Sequence, residues 1–252
     1  MRSSAYVLIA LVTLASTSGK VVADDAHLAV AANFAEPARR LAERFSLDSG
    51  HKIVISVGST GKFYAQIKSG APFDLFLSAD VETPRRMEEE RLAVAGTRFM
   101  YAVGKIVLWS PRAGVVDDKG EVLRKGAFAR LAVPNPKLAP YGAAAREAME
   151  KLGVWHSVEG KLVQGENIAQ TFQFISSGNA DLGFVALSQV RQDGRQITGS
   201  YWIVPSSLYS PIQQDAALLA RGETNPAARR FLDYLRSPPA RAIIRAYGYD
   251  LP

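Results

Sequence analysis

Short apolar runs alternate with amphipathic stretches along nearly the whole chain, and this alternation restricts the fold more than any other feature. Residues 27–32 read as a strand, followed by a helix on which Ala38, Leu41 and Phe45 recur at helical spacing. Residues 53–57 form a second strand, and Phe63 and Ile67 share one face of the next helix. A third strand at 75–77 precedes a charged helix at 84–92, and residues 101–110 read as one longer β run stopped by Pro111. A second set of the same kind follows. Its strands are read at 131–133, 162–163 and 182–185, and its helices at 141–152 and 166–176. Late strands at 201–204 and 216–219 and two amphipathic helices, 226–235 and 239–247, close the chain. Such alternation demands mostly parallel sheets flanked by helices, an α/β fold. The two sets imply two lobes, with the chain leaving the first, building the second and returning. Residues 24–105 and 213–252 are read as lobe I and residues 106–212 as lobe II. A ligand would sit between the lobes, at the carboxyl ends of the strands.

Residues 1–23 are read as a cleavable signal peptide. Arg2 gives a positive start, residues 5–15 an apolar core too short to span a bilayer, and residues 21–23 a small-residue cleavage site. The expected location is therefore the periplasm, with no membrane insertion of the mature chain. The absence of cysteine leaves neither disulfides nor a lipid attachment site. The formal charge of +6 comes from 30 basic and 24 acidic residues without a dense Lys/Arg run, so nucleic acid is not an expected partner.

The chain offers no catalytic constellation. His27, His51 and His156 are far apart and fit no metal-ligand spacing. Gly58-Ser59-Thr60-Gly61 has the wrong spacing for a nucleophile elbow, and with Lys62 it fails the phosphate-loop pattern. A binding protein without a cofactor is the better reading than an enzyme. Residues 57–62 do read as a strand end turning into a helix, and a helix start binds anions through its unpaired N–H groups. Asn33, Ser59 and Thr60 also suit helix N-caps, and the two roles are compatible.

Four pieces then resemble one family: residues 31–34; Gly58-Ser59-Thr60-Gly61 with residues 70–80; residues 131–136 with Pro140-Tyr141-Gly142; and residues 165–168 leading to 182–185. Together they resemble the periplasmic molybdate-binding proteins, the extracytoplasmic receptors of bacterial molybdate ABC importers. The stretch Gly-Ala-Pro-Phe-Asp-Leu-Phe-Leu-Ser-Ala-Asp at 70–80 is the most specific of them. The resemblance implies a two-lobed periplasmic binding protein-like fold (type II) closing on one tetrahedral oxyanion. It implies ligands from both lobes: Asn33, a hydroxyl from Ser59 or Thr60, Tyr141 in the loop before the long second-lobe helix, and the Ile168 backbone N–H. Some members carry a Tyr where this chain has Ala186, and Ala where it has Tyr141, so the phenol donor has moved between loops. The implied partners are molybdate or tungstate and a membrane permease, with the receptor a monomer.

These residue types suit such a guest. Molybdate at neutral pH is a dianion whose four oxygens all accept hydrogen bonds, so its site needs donors only. Each helix start adds about half a positive elementary charge. Hydrogen phosphate would bring a proton with no acceptor to meet it, and sulfate, with shorter bonds, is rejected on size. Asp74 and Asp80 would repel a dianion and are read as structural, and Lys62 as an exposed side chain. A sulfate or phosphate receptor, a ferric-ion receptor and an exported α/β enzyme are the rival readings. The absence of an adjacent Tyr pair weighs against the second, and a serine with no base against the third.

Overall fold

The computed structural model describes residues 24–191 and 197–252. The expected signal segment lies outside the described residues. Two five-stranded sheets form the frame. In the first, β1 (Asp25–Ala31), β2 (Lys52–Gly58), β3 (Leu75–Leu77), β4 (Phe99–Gly104) and β10 (Ile212–Leu218) lie in the order β2-β1-β3-β10-β4. The second contains β5 (Ile106–Ser110), β6 (Leu131–Pro134), β7 (Leu162–Gly165), β8 (Leu182–Ala186) and β9 (Ser200–Ile203), in the order β7-β6-β8-β5-β9. In each sheet the fourth strand of that order runs against its neighbours and the others share one direction. The architecture is a two-lobed type II α/β fold. The chain passes from the first sheet to the second at Lys105 and returns between β9 and β10.

Ten helices flank the sheets among the described residues. They are α1 (Ala35–Ser49), α2 (Thr60–Lys68), α3 (Glu82–Glu89), α4 (Val122–Lys125), α5 (Pro140–Lys151), α6 (Trp155–Val158), α7 (Ile168–Ser176), α8 (Leu187–Val190), α9 (Pro226–Tyr234) and α10 (Pro238–Ala246). Each strand splits its side chains between two cores, as the two-residue period requires. In β1, Leu28 and Val30 join Leu41, Phe45 and Phe231 on one face, and Ala29 joins Phe63, Phe76 and Met87 on the other. In β5, Ile106 and Leu108 face Met149 and Phe184, while Val107 and Trp109 face Ile175.

Several expected boundaries move, each for a local reason. The β run at 101–110 divides at Lys105, where the chain changes sheets. The last strand begins at Ile212 rather than 216, because Gln214 and Asp215 are buried with partners. Arg98 meets Asp215 at 2.6 Å, and burial nevertheless holds the Asp215 carboxyl above its ordinary range. The charged helix starts at Glu82, since Asp80 accepts from the Thr83 N–H and hydroxyl just inside it. The helix read from 166 starts at Ile168, because Asn167 caps it by accepting from Ala169 and Gln170 N–H, each at 3.0 Å.

Candidate functional site

Four strands deliver four helix starts to one place. β1 leads into a 3₁₀ turn (Ala32–Phe34) and α1, β2 into α2, β6 through a short loop into α5, and β7 into α7. Two of these pairs belong to each sheet, and all four strands are parallel members whose carboxyl ends face the space between the lobes. A narrow cleft, partly open to solvent, lies there. Its walls include Asn33, Ser59, Thr60, Tyr141 and Ile168, so the structure brings all five sequence-read residues together. Ala31, Ala32, Gly58, Ala79, Ala139, Pro140 and Asn167 complete the lining, and no charged side chain is among them.

The individual atoms divide the roles. Ser59 stands at the N-cap position of α2 with extended backbone, yet its side chain makes no capping bond. Its hydroxyl is buried, at 3% residue exposure, and meets no protein partner. Thr60 is equally buried, but its Oγ1 accepts the Ala79 N–H at 3.1 Å. Ile168 is the first residue of α7, where a backbone N–H has no intrahelical acceptor. The Asn167 carboxamide satisfies the next two N–H groups and leaves that of Ile168 over.

Asn33 and Tyr141 differ from expectation. Asn33 caps no helix and sits inside the 3₁₀ turn. Its amide nitrogen donates to Gln214 Oε1 at 2.8 Å and Tyr249 Oη at 3.1 Å, so the amide faces the protein and the backbone N–H is its remaining donor. Tyr141 lies not in the loop but at the second position of α5. Its Oη accepts from Gln214 Nε2 at 3.1 Å, and Asn33 Nδ2 lies 3.4 Å away. Burial pushes the phenols of Tyr141 and Tyr101 well above the ordinary tyrosine value and that of Tyr249 up to about 12. All three stay protonated at any physiological pH.

This buried network joins the lobes behind the cleft. Ser188 Oγ, at the start of α8 in the second lobe, donates to the Asn33 carbonyl at 2.7 Å. Tyr249 Oη donates to the same carbonyl at 2.7 Å and lies 3.0 Å from Ser188 Oγ. Sequence reasoning missed Gln214, Tyr249 and Ser188. A glutamine next to an aspartate in an otherwise apolar strand was the available signal for the first; nothing local marks the other two. At the front, Gly61 N–H donates to the Leu138 carbonyl at 3.1 Å, and Lys62 Nζ meets Glu166 Oε2 at 2.6 Å. Lys62 is thus exposed as read from sequence, and also tied across the cleft. Asp74 accepts from the His27 N–H and pairs with Arg221, and Asp80 holds the start of α3, so both carboxylates are structural.

The arrangement presents hydrogen-bond donors without a formal charge, a setting matched to an anion that only accepts. Among the described residues no group of acidic, histidine or cysteine side chains could hold a metal cation, and no helix is long and apolar enough to cross a membrane. The family model "Bacterial extracellular solute-binding protein" matches residues 26–250. The molybdate-binding protein ModA of Azotobacter vinelandii is 54% identical over 229 residues, 91% of each chain. That of Rhodobacter capsulatus is 48% identical over 98% of this chain and 94% of its own. Among solved structures, an Azotobacter vinelandii periplasmic molybdate-binding protein superposes with a TM-score of 0.88 at 39% identity, covering 90% of this chain and 99% of that one. A sulfate-binding protein from Mycobacterium tuberculosis shares the fold with a TM-score of 0.75 at 13% identity, covering 90% of this chain and 87% of its own. These relatives are binding proteins for molybdate or, in the last case, sulfate. The chain belongs to the bacterial extracellular solute-binding proteins and, within them, to the family of molybdate-binding proteins.

Proposed function

We propose that this chain captures molybdate between its lobes, also accepts tungstate, and delivers the oxyanion to the membrane permease of an ABC importer. The observation that carries the reading is the Ser59 hydroxyl, buried without a protein partner in a cleft free of charged side chains. A buried hydroxyl left unmatched costs about 1–3 kcal/mol, which an anionic guest accepting its proton would offset. In this reading Ser59 Oγ, the N–H groups of Asn33 and Ile168, and the Tyr141 O–H donate to the oxyanion. Thr60 contributes mainly by tying the α2 start to Ala79. Tungstate nearly matches molybdate in size and charge, so the same donors serve it.

The domain reading assigns 24–105 and 213–252 to lobe I and 106–212 to lobe II, with the crossings near Lys105 and before β10 acting as the hinge. Ile212 already pairs with Gly104 in the first sheet, so the second crossing is drawn one residue earlier. Residues 1–23 are proposed to direct export to the periplasm and to be cleaved there, and the receptor is proposed to act as a monomer.

Calorimetric titration with molybdate, tungstate, sulfate and phosphate tests the reading. Tight binding of the first two and weak binding of the others is expected. Sulfate binding as tight as molybdate would sink the assignment. Scattering measurements are expected to show compaction on molybdate addition, and an unchanged radius would remove the closure step.

A further inference from the structure

We infer that Gln214 is a positioning residue which turns the Tyr141 hydroxyl proton toward the bound oxyanion. The inference rests on the molybdate reading of the cleft and adds a residue outside its walls. Gln214 is fully buried on β10 and is not among the residues that line the cleft. Oε1 accepts from Asn33 Nδ2 at 2.8 Å and from Tyr101 Oη at 3.0 Å. That occupies the acceptor end and leaves the amide Nε2 to donate to Tyr141 Oη at 3.1 Å.

A hydroxyl has one proton and two lone pairs. With Gln214 Nε2 donating to one lone pair, the Tyr141 proton is not spent on Gln214, and the neighbouring Tyr249 hydroxyl bonds to the same phenol. An oxyanion in the cleft that Tyr141 lines competes with Tyr249 for that proton and, being ionised, is the stronger acceptor. The polarity therefore runs in one direction, from the Asn33 amide through the Gln214 carboxamide to Tyr141 and into the anion, while the single Tyr101 proton is shared between Gln214 Oε1 and the Ser78 carbonyl, each at 3.0 Å. Bonds linked head to tail in a low-dielectric interior strengthen one another. The backbone enforces the spacing as well. A Cβ built on Gly104 would lie 2.0 Å from Tyr141 Oη and 2.6 Å from Gln214 Nε2, so only glycine lets the two side chains meet there.

The test is a double-mutant cycle read by molybdate titration, using Gln214→Met, Tyr141→Phe and the pair. Tyr141→Phe is expected to weaken binding by about ten- to a hundredfold, the scale of one hydrogen bond to an ion. Gln214→Met is expected to weaken it by about tenfold alone and to add nothing in the Tyr141→Phe background. Independent, multiplying losses would overturn the positioning role, because a residue that merely packs would weaken both backgrounds alike. A second measurement uses the unaltered protein with labelled tyrosines. The Tyr141 hydroxyl proton resonance, assigned by its loss in Tyr141→Phe, is expected to move downfield on adding molybdate. A resonance that stays in place while molybdate binds overturns the inference. Failure of the unaltered protein to bind molybdate at all overturns the reading of the cleft and this inference with it.

Discussion

Ser59 and Thr60 are adjacent, equally buried and chemically alike, yet the Thr60 hydroxyl accepts the Ala79 N–H at 3.1 Å whereas the Ser59 hydroxyl meets no protein group. The strand-to-helix turn sends the two side chains to different work. Ser59→Ala is expected to weaken molybdate binding by about ten- to a hundredfold while leaving the empty protein as stable or slightly more so. Thr60→Ala strands a buried N–H and is expected to cost about 1–3 kcal/mol of stability. Titration and thermal melting of the two single variants separate the roles; equal melting temperatures with equal affinities would refute the division.

Gly104 stands at the first crossing between the lobes with no room for a methyl group. Gly104→Ala places a Cβ within 2.0 Å of Tyr141 Oη and 2.6 Å of Gln214 Nε2. Overpacking of this kind destabilises by about 1–3 kcal/mol. Chemical denaturation is expected to show that loss, together with weaker molybdate binding as Tyr141 is displaced. A variant with native stability and affinity would show that the hinge gives way freely.

The buried phenols predict an alkaline limit. The Tyr249 pKa is raised to about 12, and Tyr101 and Tyr141 stand well above their ordinary value, with burial the main cause in each. The unfolded chain releases these protons near pH 10, while the folded protein keeps them. The unfolded state then binds fewer protons, so stability is intact below about pH 10 and falls as the pH rises beyond it. Each such group contributes a slope of about 1.4 kcal/mol per pH unit until its folded pKa is reached. Denaturation midpoints between pH 9 and 12 are expected to fall less steeply in Tyr249→Phe than in the unaltered protein. Parallel curves would contradict the assignment.

Lys62 and Glu166 close the front of the cleft at 2.6 Å, with 42% and 63% of their side chains exposed. An exposed pair contributes about 0.2–1 kcal/mol. Because this one forms between lobes, its loss falls on ligand release. Glu166→Gln is expected to raise the molybdate dissociation rate by about two- to fivefold, an effect that shrinks with added salt. Stopped-flow release measured at two ionic strengths checks this, and a rate unmoved at low salt would show the pair to be decorative.

The sequence carried much of the fold because apolar periodicity is a local property. β1, β2, β3 and β8 were legible as short apolar runs, and the start of α2 as a strand end turning into a helix at Gly58-Ser59. β10 was legible only in its apolar half, since the partners that make Gln214 and Asp215 tolerable inside a sheet come from distant segments. The cleft residues were named through family resemblance, but the duties of their atoms were hidden. Whether Asn33 turns its amide toward a guest or toward the protein depends on Gln214 and Tyr249, 181 and 216 residues away. Nothing within a few residues of Asn33 records that choice.

The late return of the chain to its first sheet has a consequence for the order in which the molecule comes into being. β10 lies between β3 and β4, so β4 has no neighbour in its own sheet until residues 212–218 have been synthesised. The first half of the structure is therefore the last to be finished. The second sheet, by contrast, has all five of its strands by residue 203, before the strand that completes the first has been made.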